Sequence, residues 1–199
     1  MLKYVLLLII VLQVNSCKTK NTSQNENTII TNPVSDDSTN QDAFFPVTNY
    51  IRGQINDIRL KGVNPMMYTT VNHRTDSSWL KAENFEKVMA PFLQTIIDTS
   101  NLRELFSEKR FLDQTLNAYT FTYDPKTVLP DTLALRHWDV YVDPNTNKVR
   151  RIYMINQDNG NKEQQLTWQS DKWCKIITLG ADKNDNIVVE KEVFINWEF

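Results

Sequence analysis

After Leu116 the chain settles into a period of two and keeps it. The segments "AYTFTY", "LRHWDVYVD", "KVRRIYMIN", "QQLTWQ", "KWCKIITLG" and "IVVEKEVFINW" follow one another, each alternating apolar with polar residues. Alternation of this kind marks β-strands, because residues of like parity share one face. A proline-marked loop, "DPKTVLPD", follows the first segment, and the later connectors "DPNTNK", "QDNGNK", "SDK" and "ADKNDN" are short and rich in turn formers. Links this short join antiparallel neighbours, whereas parallel strands need a long crossover. The second half of the chain is therefore expected to be an antiparallel meander.

The residues before it have a different rhythm. In "FFPVTNYIRGQINDIRLKG", Val47, Ile51, Ile55 and Ile58 recur at helical spacing, with Thr48 as a candidate N-cap and Gly62 as the stop. "NPMMYTTVNHRTD" alternates and predicts a strand. From residue 79 to residue 113 the spacing predicts two or three consecutive helices, with Phe85, Val88, Met89, Phe92 and Ile96 on one stripe and Pro91 as a kink or break. Ser100 offers a cap for a further helix carrying Leu102, Leu105, Phe106 and Phe111. Together these features predict an α+β fold, with N-terminal helices packed on a curved, mostly antiparallel C-terminal meander. That order of elements resembles the NTF2-like or cystatin-like cone, an analogy of fold that carries no function. On the last two strands Trp173 and Trp197 are in phase with Ile177 and Ile195, which predicts both indoles against the stripe of Phe85, Phe92 and Ile96.

Composition narrows the function. With 22 basic against 24 acidic residues the net charge is −2, so nothing in the balance points to nucleic acid. Only four glycines are present, and no GxGxxG or GxxxxGK[ST] motif occurs, so no phosphate-cradling loop and no cofactor are expected. The cysteines are Cys17 and Cys174.

The N-terminus speaks to location. Met1-Leu2-Lys3 precedes an uncharged run from Tyr4 to Leu12, too short for the about 20 apolar residues a membrane span needs. The run ends in Val14-Asn15-Ser16-Cys17, which resembles the lipobox of bacterial lipoproteins. The resemblance implies cleavage between Ser16 and Cys17, a diacylglyceryl thioether on Cys17, and usually an added N-acyl chain. Two or more acyl chains anchor stably where one does not. Residues 18–42, dominated by Asn, Thr, Ser and Gln, are too polar to build a core and read as a disordered tether with a reach of roughly 25–30 Å. Domain organisation is then 1–16 signal, 17–42 lipidated cysteine and tether, and 43–199 one α+β domain. The resemblance makes an aspartate after the cysteine the inner-membrane mark, so Lys18 implies the outer membrane, and "CKTKNT" lacks the acidic patch of surface-exported Bacteroidota lipoproteins, which implies the periplasmic face, with surface exposure as the alternative. "FFPVTNYIRGQI", "SSWLK", "FLDQTLNAYTFTYDP" and "RHWDVYVDPNTNKVRRIY" resemble uncharacterised lipoproteins of Bacteroidota, a family that implies location and no activity.

Few residues suggest chemistry. His137 and Asp139 lie two apart on one strand and could be an acid/base pair or metal ligands. Asp143-Pro-Asn145-Thr-Asn147 and Asp182-Lys-Asn184-Asp-Asn186 open like calcium loops but lack the glycine at position six and the glutamate at twelve, as Asx-rich turns do. Cys174 alternates with Ile176 and Thr178 as a small core residue would. Asp37-Ser38-Thr39 and Asp131-Thr132-Leu133 resemble a Bacteroidota O-glycosylation pattern. Trp138, Trp168, Trp173 and Trp197 either fill the core or line a concave binding surface. The candidate ligand-binding set is Trp138, His137, Asp139 and Trp168, and no metal site is expected. The reading is a lipid-anchored envelope protein presenting a binding or scaffolding domain. Its partners would be the membrane and another envelope protein, and it is more readily a binder than an enzyme. The alternative is a small-ligand carrier or enzyme using the mouth of a cone as its pocket.

Overall fold

A computed structural model describes residues 43–157 and 162–197. The signal segment 1–16, Cys17, the tether 18–42 and the Ser38 motif lie outside the described residues. Helix α1 (Val47–Leu60) forms where the spacing predicts it and buries Val47, Thr48, Ile51, Ile55 and Ile58. Its cap differs from expectation: Pro46 occupies the N-cap, while the Thr48 hydroxyl accepts the Ile97 N–H at 2.7 Å and so ties α1 to the chain near residue 97. Gly62 ends the helix at φ +65°, a conformation glycine adopts without strain.

Strands β1 (Met66–Val71) and β2 (Arg74–Trp79) follow, then a 3₁₀ turn at Ala82–Asn84 and helix α2 (Phe85–Leu93). The rest is strand: β3 (Phe106–Asp113), β4 (Ala118–Pro125), β5 (Leu135–Val142), β6 (Val149–Gln157), β7 (Glu163–Gln169), β8 (Trp173–Ala181) and β9 (Ile187–Asn196). All nine pair in one antiparallel sheet of order β2-β1-β9-β8-β7-β6-β5-β4-β3. The chain thus runs as a meander from β3 to β9, and the early hairpin is added to its last strand.

This corrects the expected fold class. The chain is α+β only in the broad sense: a nine-stranded sheet dominates, two short helices accompany it, and the N-terminal helices of an NTF2-like or cystatin-like cone are not what is found. Two segments account for the difference. Residues 106–113 contain helix formers, yet they pair residue for residue with β4 around a turn held by Asp113 Oδ1, which accepts the Leu116 N–H at 3.0 Å, and by Asn117 at φ +46°. The ladder overrides propensity here. Residues 72 and 73 form a two-residue turn with positive φ at both positions, 49° and 61°, so the chain doubles back into β2 instead of moving on to helix.

The core lies between one face of the sheet and the two helices. Phe85, Met89 and Phe92 of α2 and the buried row of α1 meet Trp138, Ile152, Met154, Leu166, Trp168, Cys174 and Ile195. Trp138 lies parallel to Tyr123 at 4.4 Å between ring centroids, and Trp168 meets Phe92 edge-on at 5.3 Å. Breaks in the β5–β6 register, between Leu135 and His137 and between Tyr141 and Val142, turn Leu135 and Val149 inward as well. Asn156 donates its side-chain N–H to the Pro91 carbonyl at 3.1 Å, and Tyr50 donates its hydroxyl to Ser170 at 2.7 Å, so each helix is bonded to the sheet.

Two expectations about packing need correction. Trp197 is in the core, but Trp173 is not: Cys174 and Ile176 hold the inward positions of β8, and Trp173 shares the opposite face with Lys175 and Ile177. Ile96 is 54 % exposed, and Ile97, one residue on, is the buried member of the pair because α2 has already ended at Leu93.

Candidate functional site

The alternation that fills the core also leaves a second face, and the functional candidates divide between the two. On β5, Trp138 and Val140 point under the helices, while His137, Asp139 and Tyr141 point outward. Trp168 on β7 is inward and fully buried, like Trp138. The four residues singled out for ligand binding are therefore not brought together. Two indoles are core, and the histidine and aspartate lie on the far side of the sheet.

His137 and Asp139 do form a cluster there, with residues from neighbouring strands. His137 Nδ1 faces Asp124 Oδ1 at 3.0 Å and Nε2 faces Asp139 Oδ1 at 3.2 Å. Asp139 also accepts the Thr122 hydroxyl at 2.7 Å and the Tyr141 hydroxyl at 3.0 Å, and Asp124 accepts Lys109 Nζ at 3.0 Å. The Asp139 and Asp124 carboxylates favour the imidazolium, which alone can donate from both nitrogens, and raise the His137 pKa against the opposing effect of burial. Burial works to raise Asp139, but His137 and Thr122 together hold it below the usual carboxylate range. Lys109, then His137, do the same for Asp124. Burial and the Asp139 charge push Tyr141 up to about 12.

Chemically, this network is already satisfied. A general base needs a free lone pair aimed at substrate, and both ring nitrogens of His137 face carboxylates of its own protein. What the cluster does is stitch β3, β4 and β5 on the open face. Among the described residues no group of three or more His, Cys, Asp or Glu side chains is arranged to hold a metal. The two calcium-like openings are turns closed on themselves. Asp143 Oδ1 accepts the Asn145 and Thr146 N–H groups at 2.9 Å, and Asp182 Oδ1 accepts those of Asn184 and Asn186 at 2.7 and 2.9 Å. Cys174 is buried 3.6 Å from Met89 Sδ, and burial pushes its thiol pKa far up. Thr132 is exposed in the β4–β5 loop.

The rest of the open face was not foreseen. Strand register aligns its side chains in rows, one running Tyr141, Arg151, Gln169, Trp173, Asn196, Met66, Trp79 from β5 to β2. A parallel row runs Tyr153, Thr167, Lys175, Phe194, Tyr68, Ser77. Arg151 lies 4.2 Å over the Tyr141 ring, Phe194 is 5.6 Å from Trp173 and 6.2 Å from Tyr68, and Trp79 is 59 % exposed. The sequence held a signal for this: the parity of Trp173 includes Lys175, whereas that of Cys174 carries no charge. An open depression of about 410 Å³ lies elsewhere, beside Phe44 and Phe106. Of its cations, Arg110 is paired with Glu108 and Lys126 donates to the Arg103 carbonyl. Comparison with known protein families, curated proteins and solved structures finds no match.

Proposed function

We propose that the chain is a lipid-anchored protein of the bacterial cell envelope that presents a binding domain on a polar tether, and that its work is binding and not catalysis. The observation that carries this reading is the contrast between the two faces of the sheet. One is filled by Trp138, Trp168 and the helices, and the other presents aromatic and polar side chains that no other described element covers. A protein that places Trp79 at 59 % exposure and Tyr68 at 40 % accepts an apolar surface in water that a partner would bury. The pair of His137 and Asp139 supports the same reading, since its polar groups are engaged with one another and with β4, where they tie strands together and do not face a substrate.

The location rests on the Val14-Asn15-Ser16-Cys17 lipobox resemblance, on Lys18, which favours the outer membrane, and on the lack of an acidic patch in "CKTKNT", which favours its periplasmic face. Fractionation of cells making the wild type and Cys17→Ala tests it. The wild type should sediment with membranes and label with a fatty acid, and the variant should be released or stay unprocessed. A processed Cys17→Ala protein that remained in the membrane fraction would overturn the anchor.

A further inference from the structure

We propose that the outward surface of β8, β9, β1 and β2 binds a neutral glycan chain, an assignment that rests on the outward face being the binding face. Four aromatic side chains carry it. Tyr68 and Phe194 are cross-strand neighbours with centroids 6.2 Å apart, Phe194 and Trp173 are 5.6 Å apart, and Trp79 lies on the next strand beyond Met66. From Trp173 to Trp79 is three strand spacings, roughly 14 Å, which suits several linked sugars better than one.

The identity of the occupant follows from what borders the rings. Trp173 has Gln169 and Asn196 as its cross-strand neighbours, and Tyr68 has Ser77. These are uncharged groups that both donate and accept hydrogen bonds, or accept and donate through one hydroxyl. Among the described residues the charges beside them are engaged: Lys175 Nζ is 3.5 Å from Glu192 and lies 5.8 Å over the Phe194 ring, and Arg151, opposite Gln169, lies 4.2 Å over the Tyr141 ring. A phosphate-bearing partner, whether nucleic acid or lipid headgroup, would call for cations in excess. An acyl phase would strip water from the amides without replacing their hydrogen bonds. A protein partner is the reading that stands if both tetramers fail while the tryptophan variants lose retention on envelopes. A neutral sugar is complementary to both components: its C–H face lies on an aromatic ring while its hydroxyls exchange hydrogen bonds with amides and hydroxyls at the ring's margin.

The test uses the chain carrying Cys17→Ala, which has no lipid to insert into vesicles, titrated with cellotetraose and with a tetramer of N-acetylglucosamine by tryptophan fluorescence and calorimetry. Heparin and phosphatidylglycerol vesicles are the anionic comparators. Saturable binding of a neutral tetramer that is indifferent to salt is expected. It should weaken about tenfold in Trp79→Ala and in Trp173→Ala, the scale of one lost aromatic contact, and be unchanged in Val128→Ser, remote on the β4–β5 loop. Because Trp79 is exposed, Trp79→Ala should melt with the wild type, so a loss of binding there is not a loss of fold. Absence of binding to both tetramers, or tighter binding of either anionic probe, overturns the glycan assignment. The underlying reading is scored separately by retention on purified envelopes of the same Cys17→Ala chain, with and without the tryptophan changes, so that the lipid anchor does not hold it there. If the tetramers fail while both tryptophan variants still lose retention, only the glycan assignment falls. If the variants keep full retention, the binding face falls with it.

Discussion

Replacing Trp138 by alanine strikes the centre of the structure. The indole is fully buried, stacks on Tyr123 at 4.4 Å and 7° between planes, and meets Phe106 at 4.7 Å and Phe44 at 5.9 Å edge-on. Truncating a buried tryptophan costs about 3–5 kcal/mol. Each well-placed ring pair adds about 0.5–1.5 kcal/mol beyond its area, so three of them put Trp138→Ala at the upper end, about 5 kcal/mol. Domains are held by about 5–15 kcal/mol, so the loss takes between a third and all of the margin. At about 2–4 °C per kcal/mol for a domain of this size, the melting temperature should fall by about 10–20 °C. Calorimetry and urea unfolding followed by circular dichroism measure it, with Trp79→Ala as the control expected within about 0.5 kcal/mol of wild type. A Trp138→Ala protein that melted with the wild type and kept its denaturant slope would refute the register that turns this residue inward.

The His137 cluster should make stability depend on pH. Its raised pKa means that its contribution is fully present below the ordinary value of 6.5 and is lost as pH rises through the higher folded value. The lowered Asp124 and Asp139 contribute above their ordinary 3.8 and lose that contribution as pH falls through their folded values. The cluster is therefore strongest from about pH 4 to 6.5. His137→Gln should destabilise by about 1–2 kcal/mol at pH 5.5 and by clearly less at pH 9, and equal destabilisation at both pH values in denaturant titrations would contradict the assignment. Cys174, buried against Met89 with its thiol pKa pushed up, should resist iodoacetamide at pH 8 in the native protein and react on unfolding in urea. Alkylation of the native protein at the rate of a free thiol would show that the site opens.

Much of the sheet can be read from the chain alone, because period two survives wherever one face is buried. β4 to β9 stand where "AYTFTY" through "IVVEKEVFINW" place them, and α1 matches its stripe from Val47 to Ile58. The failures share a cause: short segments whose partners are remote. β2 reads "RTDSSW", exposed at every position, so it has no hydrophobic rhythm to announce it. In β3, Glu108, Lys109 and Arg110 suit a helix, and only the pairing with β4 decides otherwise. The site was half legible. Spacing found His137 and Asp139, but nothing local to β5 says that Asp124 and Thr122 on β4 will engage them. Trp173 was misassigned because Ile177 suggested a buried face, when Lys175 between them marked an open one.

The seam between β1 and β9 sets an order of assembly. Met66 through Val71 pair with Asn196 through Lys191, so this hairpin finds its partner only when the last strand of the sheet has been made. Each neighbouring pair from β3 to β9 closes over a short loop, whereas the β1–β9 pairing must bring together segments from opposite ends of the domain, the slow kind of contact. The meander can therefore form first and the hairpin dock last. Tyr68 and Phe194 face each other across that seam, and neither aromatic row spans the sheet until it closes. The surface that would engage a partner is thus the last feature to appear, so an incompletely folded copy carries no competent face to compete for it.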